Sequence, residues 1–166
     1  MDRRLVLKSI AAAAALGTLG ACAAPQPDIV DIAASDPNFS TLVTALKAAD
    51  LVDDLQGAGP LTVLAPTNAA FDRLPAGTVD SLLQPENKDR LRSVLTYHVL
   101  PGRVTSDQIL GQKFTAKTLQ GQTVAIDGRA GKHGTGVRVN SANVTQADID
   151  ARNGVIHVID RVLLPR

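Results

Sequence analysis

Aromatic residues are scarce in this chain of 166 residues: they make up 2% of it, and tryptophan is missing. Surfaces that bind single-stranded nucleic acid by stacking bases on aromatic rings are therefore not expected. The net charge is small, at +1, and the basic excess belongs to residues 1–21, which carry Arg3, Arg4 and Lys8 against Asp2. The rest of the chain carries about −1, so no basic stripe remains to bind nucleic acid. The apolar content of 45% indicates one globular domain with an aliphatic core.

Cysteine is also nearly missing: Cys22 is the single one, which excludes an internal disulfide. It follows a basic start and an apolar run of about 13 residues, which is too short to span a bilayer. Leu19-Gly20-Ala21-Cys22 resembles the lipobox of bacterial lipoproteins, in which the cysteine sulfur takes a diacylglyceryl group and the preceding residues are removed. We predict a signal peptide over 1–21 and a lipid anchor on Cys22. The alternative is an ordinary secretory leader with a chance cysteine, and Arg3-Arg4 leaves a twin-arginine route open beside the general one.

Sequence patterns of catalytic and metal sites do not occur in the chain. No G-x-S-x-G turn presents a serine nucleophile. His98, His133 and His157 are far apart, and neither H-x-x-x-H nor C-x-x-C occurs. An acylated Cys22 has no thiol for nucleophilic chemistry. We therefore predict that the protein is not an enzyme and has no catalytic residue, metal or cofactor.

Apolar periodicity predicts helices first and strands second, which is typical of the α+β class. Asp36 and Pro37 form a helix start, and four apolar residues follow it at helical spacing: Phe39, Leu42, Val43 and Leu46. Residues 61–65 are typical of a buried strand, and 97–100 are also predicted as a strand. Later, alternation with period two predicts five strands, at 114–119, 122–127, 136–140, 142–146 and 155–163.

Three segments, in this order, resemble the fasciclin-like (FAS1) family: TVLAPTNAAF at 62–71, YHVLPG at 97–102 and NGVIHVIDRVLLP at 153–165. Their separations fit a single domain over 28–166, which leaves 22–27 as a short tether. The resemblance implies a compact wedge, a twisted β-sandwich with helices packed on it. It also implies a module that binds proteins or polysaccharides and has no enzymatic activity.

Several residues in these segments have predicted structural roles. Thr67 and Asn68 are predicted to cap the helix that follows them, by accepting from its first backbone N–H groups. Asn153-Gly154 suits a turn that needs positive φ. His98 and His157 lie in apolar contexts, and we predict that their rings bond to backbone or hydroxyl groups.

Binding residues are implied by the resemblance alone. Tyr97 is predicted to be a partly buried ring with a bonded hydroxyl, and the resemblance gives Tyr97 and His98 a role as receptor contacts. It gives the same role to Asp148 and Ile149, just before the third segment. Ile149 also fits a core position, because a single apolar residue before a turn normally packs inward.

The functional expectation combines the leader and the resemblance. We expect an exported binding or adhesion module of the bacterial cell envelope, anchored through Cys22 to the outer membrane or a periplasm-facing membrane. The alternative is a structural or signalling accessory that acts on a membrane partner inside the envelope. The expected partner is an unidentified protein or polysaccharide, not nucleic acid, and the protein is expected to be monomeric.

Overall fold

The computed structural model describes residues 26–57, 59–129 and 135–165, and its architecture is α+β. The predicted signal peptide, Cys22 and the first part of the tether lie outside these residues. The helices are α1 (Ile29–Ser35), α2 (Ser40–Ala48), α3 (Val52–Gly57), α4 (Asn68–Asp72), α5 (Thr78–Leu83), α6 (Lys88–Tyr97) and α7 (Ser106–Ile109). The strands are β1 (Leu61–Pro66), β2 (Val99–Pro101), β3 (Lys113–Lys117), β4 (Thr123–Asp127), β5 (Arg138–Val139), β6 (Ala142–Ala151) and β7 (Gly154–Ile159).

Aspartate side chains cap the first helical segments. Asp28 accepts from the Asp31 backbone N–H, and the Asp31 side chain accepts from the Asp28 backbone, so a reciprocal box starts α1. Asp36 caps a short 3₁₀ turn whose first residue is Pro37, and this turn leads into α2. The four apolar residues predicted for one face of this segment are all buried: Phe39, Leu42, Val43 and Leu46. In the described part of the chain, no helix is both long and apolar enough to cross a membrane.

The strands form one open, mixed sheet in the order β2-β1-β7-β6-β5-β4-β3. β1 and β7 are parallel, in a register from Leu61 opposite Gly154 to Pro66 opposite Ile159, and all other pairs are antiparallel. Every residue of β1 and β7 is buried, which explains their continuous apolar sequences. The first and last of the three sequence segments thus lie side by side at the sheet centre.

The central strands separate two apolar cores. Val63 and Ala65 of β1 pack with the helices, whereas Leu64 between them packs on the opposite face with side chains of β4, β5 and β6. This alternation follows from the period of two along a strand. β6 carries two register shifts, between Val144 and Ile149, where it passes from one half of the sheet to the other. The helices thus cover one face of β1 and β7, and the distal strands pack on the other.

The predicted strand at 97–100 is wrong in its first half. Tyr97 is the last residue of α6, His98 is its C-cap, and only Val99 and Leu100 of this stretch belong to β2. The helical spacing of Leu91, Val94 and Leu95 continues to His98, whose ring bonds to the Val94 carbonyl one turn earlier. Local helical bonding therefore outweighs the β propensity of the sequence here.

Candidate functional site

The residues that the sequence nominates for binding lie in two places. Tyr97 and His98 are buried at the junction of α6 and β2, with exposures of 4% and 2%. Asp148 is exposed and Ile149 is half-buried, both at the second register shift of β6. Tyr97 and His98 can therefore reach a partner only through a recess, whereas Asp148 lies at the surface.

His98 joins the second sequence segment to the third. Its Nε2 atom accepts a hydrogen bond from the Leu163 backbone N–H at 2.9 Å, so the ring proton is on Nδ1, which donates to the Val94 carbonyl at 2.7 Å. Burial lowers the pKa of His98 to about 4, although the bond to Val94 acts in the opposite direction. The ring is neutral at physiological pH and fully bonded, as predicted for a structural histidine.

The Tyr97 hydroxyl makes two hydrogen bonds beside β4. The hydroxyl donates to the Thr123 carbonyl at 3.3 Å and accepts from the Asn140 side-chain amide at 3.2 Å. Asn140 is itself in the left-handed region, with φ of 52°, and pairs with Ala125 through its own N–H and side-chain oxygen. The hydroxyl is bonded as predicted, but the ring is buried and not partly buried as expected.

A groove of about 870 Å³ opens above these bonded groups, and we call it the Tyr97 groove. It lies between the outer face of β3 and β4, the turn before β6, and the chain after β7. Its lining includes Thr115, Thr123, Ser141, Gln122, Leu163 and Leu164, together with Tyr97 and Asn140. The sequence gives no signal of this recess, because its residues come from five separate segments with no shared motif.

Asp148 serves as a distant cap for α7. Its carboxylate accepts hydrogen bonds from the backbone N–H and the hydroxyl of Ser106. Its backbone has φ of 57°, a left-handed conformation that aspartate adopts more readily than most residues. Partial burial raises the pKa of Asp148, but the bonds from Ser106 outweigh that effect and place it below the usual value.

Ile149 packs against the helix-side core and stands opposite Ile156 of β7. This placement fits the core interpretation of Ile149 better than that of a contact residue. The binding roles implied for Asp148, Tyr97 and His98 stay predictions.

His157 lies close to Asp148 but does not form a catalytic constellation with it. Its Nδ1 atom accepts from the Asp148 backbone N–H at 3.3 Å, so Nε2 carries the proton and donates to the Val104 carbonyl at 2.8 Å. The Ser106 hydroxyl donates to the Asp148 carboxylate and not to the imidazole. Burial lowers the pKa of His157, against weaker raising effects of Val104 and Asp148. The ring is structural, as predicted, and its nitrogens bond to backbone groups and not to the serine.

The predicted capping role of Thr67 and Asn68 is wrong. Thr67 occupies the N-cap of α4, but its side chain makes no capping bond. Asn68 instead points to the start of α2, where its Oδ1 accepts from the Thr41 N–H at 3.1 Å and its Nδ2 donates to the Pro37 carbonyl at 2.9 Å. The Asn68 amide can bond to a donor and an acceptor at once. It therefore links α4 to the start of α2, whereas a local cap would bond only to α4.

Positive φ is not the reason for Asn153-Gly154, because neither residue has it. The Asn153 side chain accepts from the Ile29 N–H at 3.1 Å and donates to the Leu55 carbonyl, which joins α1 and α3 to the sheet. A Cβ on Gly154 would stand 1.9 Å from the Leu61 carbonyl oxygen. The glycine is needed for the close approach of β7 to β1.

Metal binding has no support from the described part of the chain, where no three His, Cys, Asp or Glu residues group together as ligands. Cys22, the predicted lipidation site, lies outside the described residues.

Comparison with known proteins gives consistent matches. The fasciclin domain family matches residues 37–165. The chain is 56% identical over 137 residues to protein sll1483 of Synechocystis, an alignment that covers 82% of this chain and 73% of that protein. It is 38% identical over 145 residues to cell surface glycolipoprotein MPB83 of Mycobacterium bovis, covering 84% of this chain and 61% of that protein.

The fold also resembles a solved structure, that of a FAS1 domain pair from the insect cell adhesion molecule fasciclin I. The TM-score is 0.52 at 22% identity, over 74% of this chain and 43% of that chain. At this identity the likeness concerns the fold alone. Since the family match spans most of the chain and agrees with the relatives and the fold, the chain belongs to the fasciclin (FAS1) domain family.

Proposed function

We propose that the protein is a non-enzymatic binding module of the adhesion type, which works outside the cytoplasm and is held at a membrane by an acylated Cys22. The observation that carries the proposal is the similarity, over 84% of the chain, to a cell surface glycolipoprotein. The lipobox-like Leu19-Gly20-Ala21-Cys22 supports the anchor independently of any relative. Two or more acyl chains hold a protein firmly at a membrane, because each buried methylene contributes about 0.8 kcal/mol.

Side-chain chemistry supports a binding role over a catalytic one. Each of the two described histidines has both ring nitrogens bonded to backbone groups. A general base needs a free nitrogen within hydrogen-bond reach of the proton that it abstracts. Neither His98 nor His157 offers one, and the Ser106 hydroxyl bonds to the Asp148 carboxylate, whose lowered pKa makes it a weak base.

Anchoring is tested with the full chain and a Cys22→Ala variant, grown with an alkyne analogue of palmitate. We expect label and membrane association for the natural chain and their loss in the variant. Cys22→Ser serves as a conservative control, because it keeps the size of the side chain but cannot be acylated on sulfur. Equal membrane association of all three forms would reject the lipid anchor.

Adhesion is tested separately by deleting the gene and measuring attachment of cells to each other and to surfaces, with protease shaving of intact cells to show where the domain faces. We expect reduced attachment and cleavage of the exposed domain. Normal attachment together with full protection from protease would reject the adhesion role and favour an accessory inside the envelope.

A further inference from the structure

The Tyr97 groove carries no side chain that is charged at neutral pH among its lining residues in the described part of the chain. No aspartate, glutamate, lysine, arginine or histidine contributes to it, although such residues make up about a fifth of the sequence. A charged ligand would leave its solvation shell for this groove without gaining an opposite charge. The lining therefore selects against anionic and cationic ligands.

Hydroxyl groups line the groove in place of charges. Thr115, Thr123 and Ser141 are exposed, and among the described residues their hydroxyls have no hydrogen-bond partner. Each hydroxyl can donate one bond and accept two. The recess thus offers both donors and acceptors, on rigid strands and a tight turn, to a ligand that itself carries many hydroxyls.

The backbone edge of β4 beside the groove is already occupied. The N–H and carbonyl of Ala125 both bond to Asn140, and the Thr123 carbonyl accepts from the Tyr97 hydroxyl. A peptide that adds a strand to a sheet needs these same groups free. The side chains of Tyr97 and Asn140 therefore block strand addition to this edge of β4.

An apolar wall completes the groove on the side of the C-terminal segment. Leu164 is 50% exposed, one of three large apolar side chains with such exposure in the described residues, and it lies beside the buried Leu163. Sugar rings have apolar C–H faces as well as hydroxyl edges. Binding pockets commonly combine an apolar surface with a few placed polar groups, in volumes of roughly 300–1,000 Å³.

We propose that the Tyr97 groove binds a short stretch of an uncharged polysaccharide. The hydroxyls of Thr115, Thr123 and Ser141 bond to sugar hydroxyls, and Leu164 packs against a ring face. Tyr97 and Asn140 act as positioning residues, because they hold the β4 edge and do not need to touch the ligand. This assignment rests on the proposed binding function and names its ligand class.

The sequence supplies a site-specific probe for the test. Tyr97 is the only tyrosine and the chain has no tryptophan, so tyrosine emission of the full-length protein reports on this groove alone. The probes are short neutral oligomers of α-glucose, β-glucose, N-acetylglucosamine and mannose. Oligogalacturonate serves as an anionic comparator, and an uncharged extended peptide tests strand addition.

We expect at least one neutral series to change the emission in a saturable way, with oligogalacturonate and the peptide inactive. Thr115→Val, Thr123→Val and Ser141→Ala should each weaken that binding about three- to tenfold, the range for one lost hydrogen bond. Thr145→Val is the matched control, because Thr145 is an exposed threonine of β6 outside the groove, and it should leave binding unchanged. Thermal unfolding of each variant shows whether it is folded.

Three outcomes would overturn the assignment: no response to any neutral series, equal or tighter binding of oligogalacturonate or the peptide, or folded groove variants that bind as the natural chain does. The adhesion proposal has a separate readout in cell attachment. Loss of attachment on deletion, with a silent groove, would reject the ligand class and keep the binding function.

Discussion

The Leu163 backbone N–H donates to Nε2 of His98 at 2.9 Å, across 65 residues of sequence. On the other side of the ring, Nδ1 donates to the Val94 carbonyl. The His98 backbone N–H does not bond to that carbonyl, because it donates to the Leu95 carbonyl. One buried imidazole therefore bonds to two backbone groups, the Leu163 N–H and the Val94 carbonyl. The His98 ring therefore links the end of α6 to the chain after β7 by hydrogen bonds.

Replacing His98 with phenylalanine should destabilise the domain by about 2–4 kcal/mol, because it leaves a buried N–H and a buried carbonyl unpaired while keeping an aromatic ring. His98→Ala should cost at least as much, since it also opens a cavity. Urea unfolding of the purified protein measures both. A change below about 1 kcal/mol in His98→Phe would show that the ring bonds contribute little.

Stability should fall as pH is lowered from about 6.5 to about 4. The unfolded chain takes up a proton on His98 near its ordinary pKa of 6.5, whereas the folded state resists protonation until about 4. The stabilisation is therefore complete above pH 6.5 and is lost progressively below it, by about 3 kcal/mol for this residue. The pKa of His157 is also lowered, so its protonation adds to the loss of stability as pH falls.

Urea unfolding at a series of pH values tests this dependence, with His98→Phe as the comparison. The free energy of unfolding of His98→Phe should decline less steeply as pH falls. The remaining decline comes from His157 and other groups. The lowered pKa values of Asp148 and Asp160 act in a separate, more acidic window below the ordinary aspartate pKa of 3.8. Equal stability of the natural chain at about pH 7 and about pH 4.5 would contradict the prediction.

Asn68→Ala should destabilise the domain by about 2 kcal/mol, because it removes bonds to both Thr41 and Pro37. Thr67→Ala is the matched comparison and should cost less than about 0.5 kcal/mol, since its hydroxyl makes no capping bond. Chemical denaturation ranks the two. The reverse ranking would restore the local cap that the sequence suggests.

Gly154→Ala should destabilise by more than about 3 kcal/mol, because its Cβ would overlap the Leu61 carbonyl and force β7 away from β1. Gly57→Ala is the control: a Cβ there meets nothing within 4 Å and its φ is not positive. That variant should be neutral or more stable by up to about 1 kcal/mol. Circular dichroism during heating compares them, and similar melting temperatures would contradict the close approach.

Much of the fold follows from local sequence. The cap at Asp36 and the largely apolar 61–65 identify their elements, since capping and full burial leave strong local patterns. The roles of His98 and His157 could be predicted as well, because a histidine in an apolar context needs partners.

Non-local contacts account for the rest. Asn68 has the composition of a local cap, but its partners lie about thirty residues earlier and no local pattern encodes them. Gly154 resembles a turn glycine because the sequence does not show that β1 passes beside it. The Tyr97 groove is assembled from Thr115, Thr123, Ser141 and Leu164 only after the sheet has formed, so their spacing gives no signal.

The central position of β7 has a consequence for how the domain folds. β7 is the last strand in the chain, yet it lies between β1 and β6, so the helix-side core cannot close until nearly all residues are available. Its pairing with β1 spans more than ninety residues, and such distant contacts slow folding, typically to milliseconds or seconds. A nascent chain that has not yet made β7 therefore lacks the strand that joins β1 to β6.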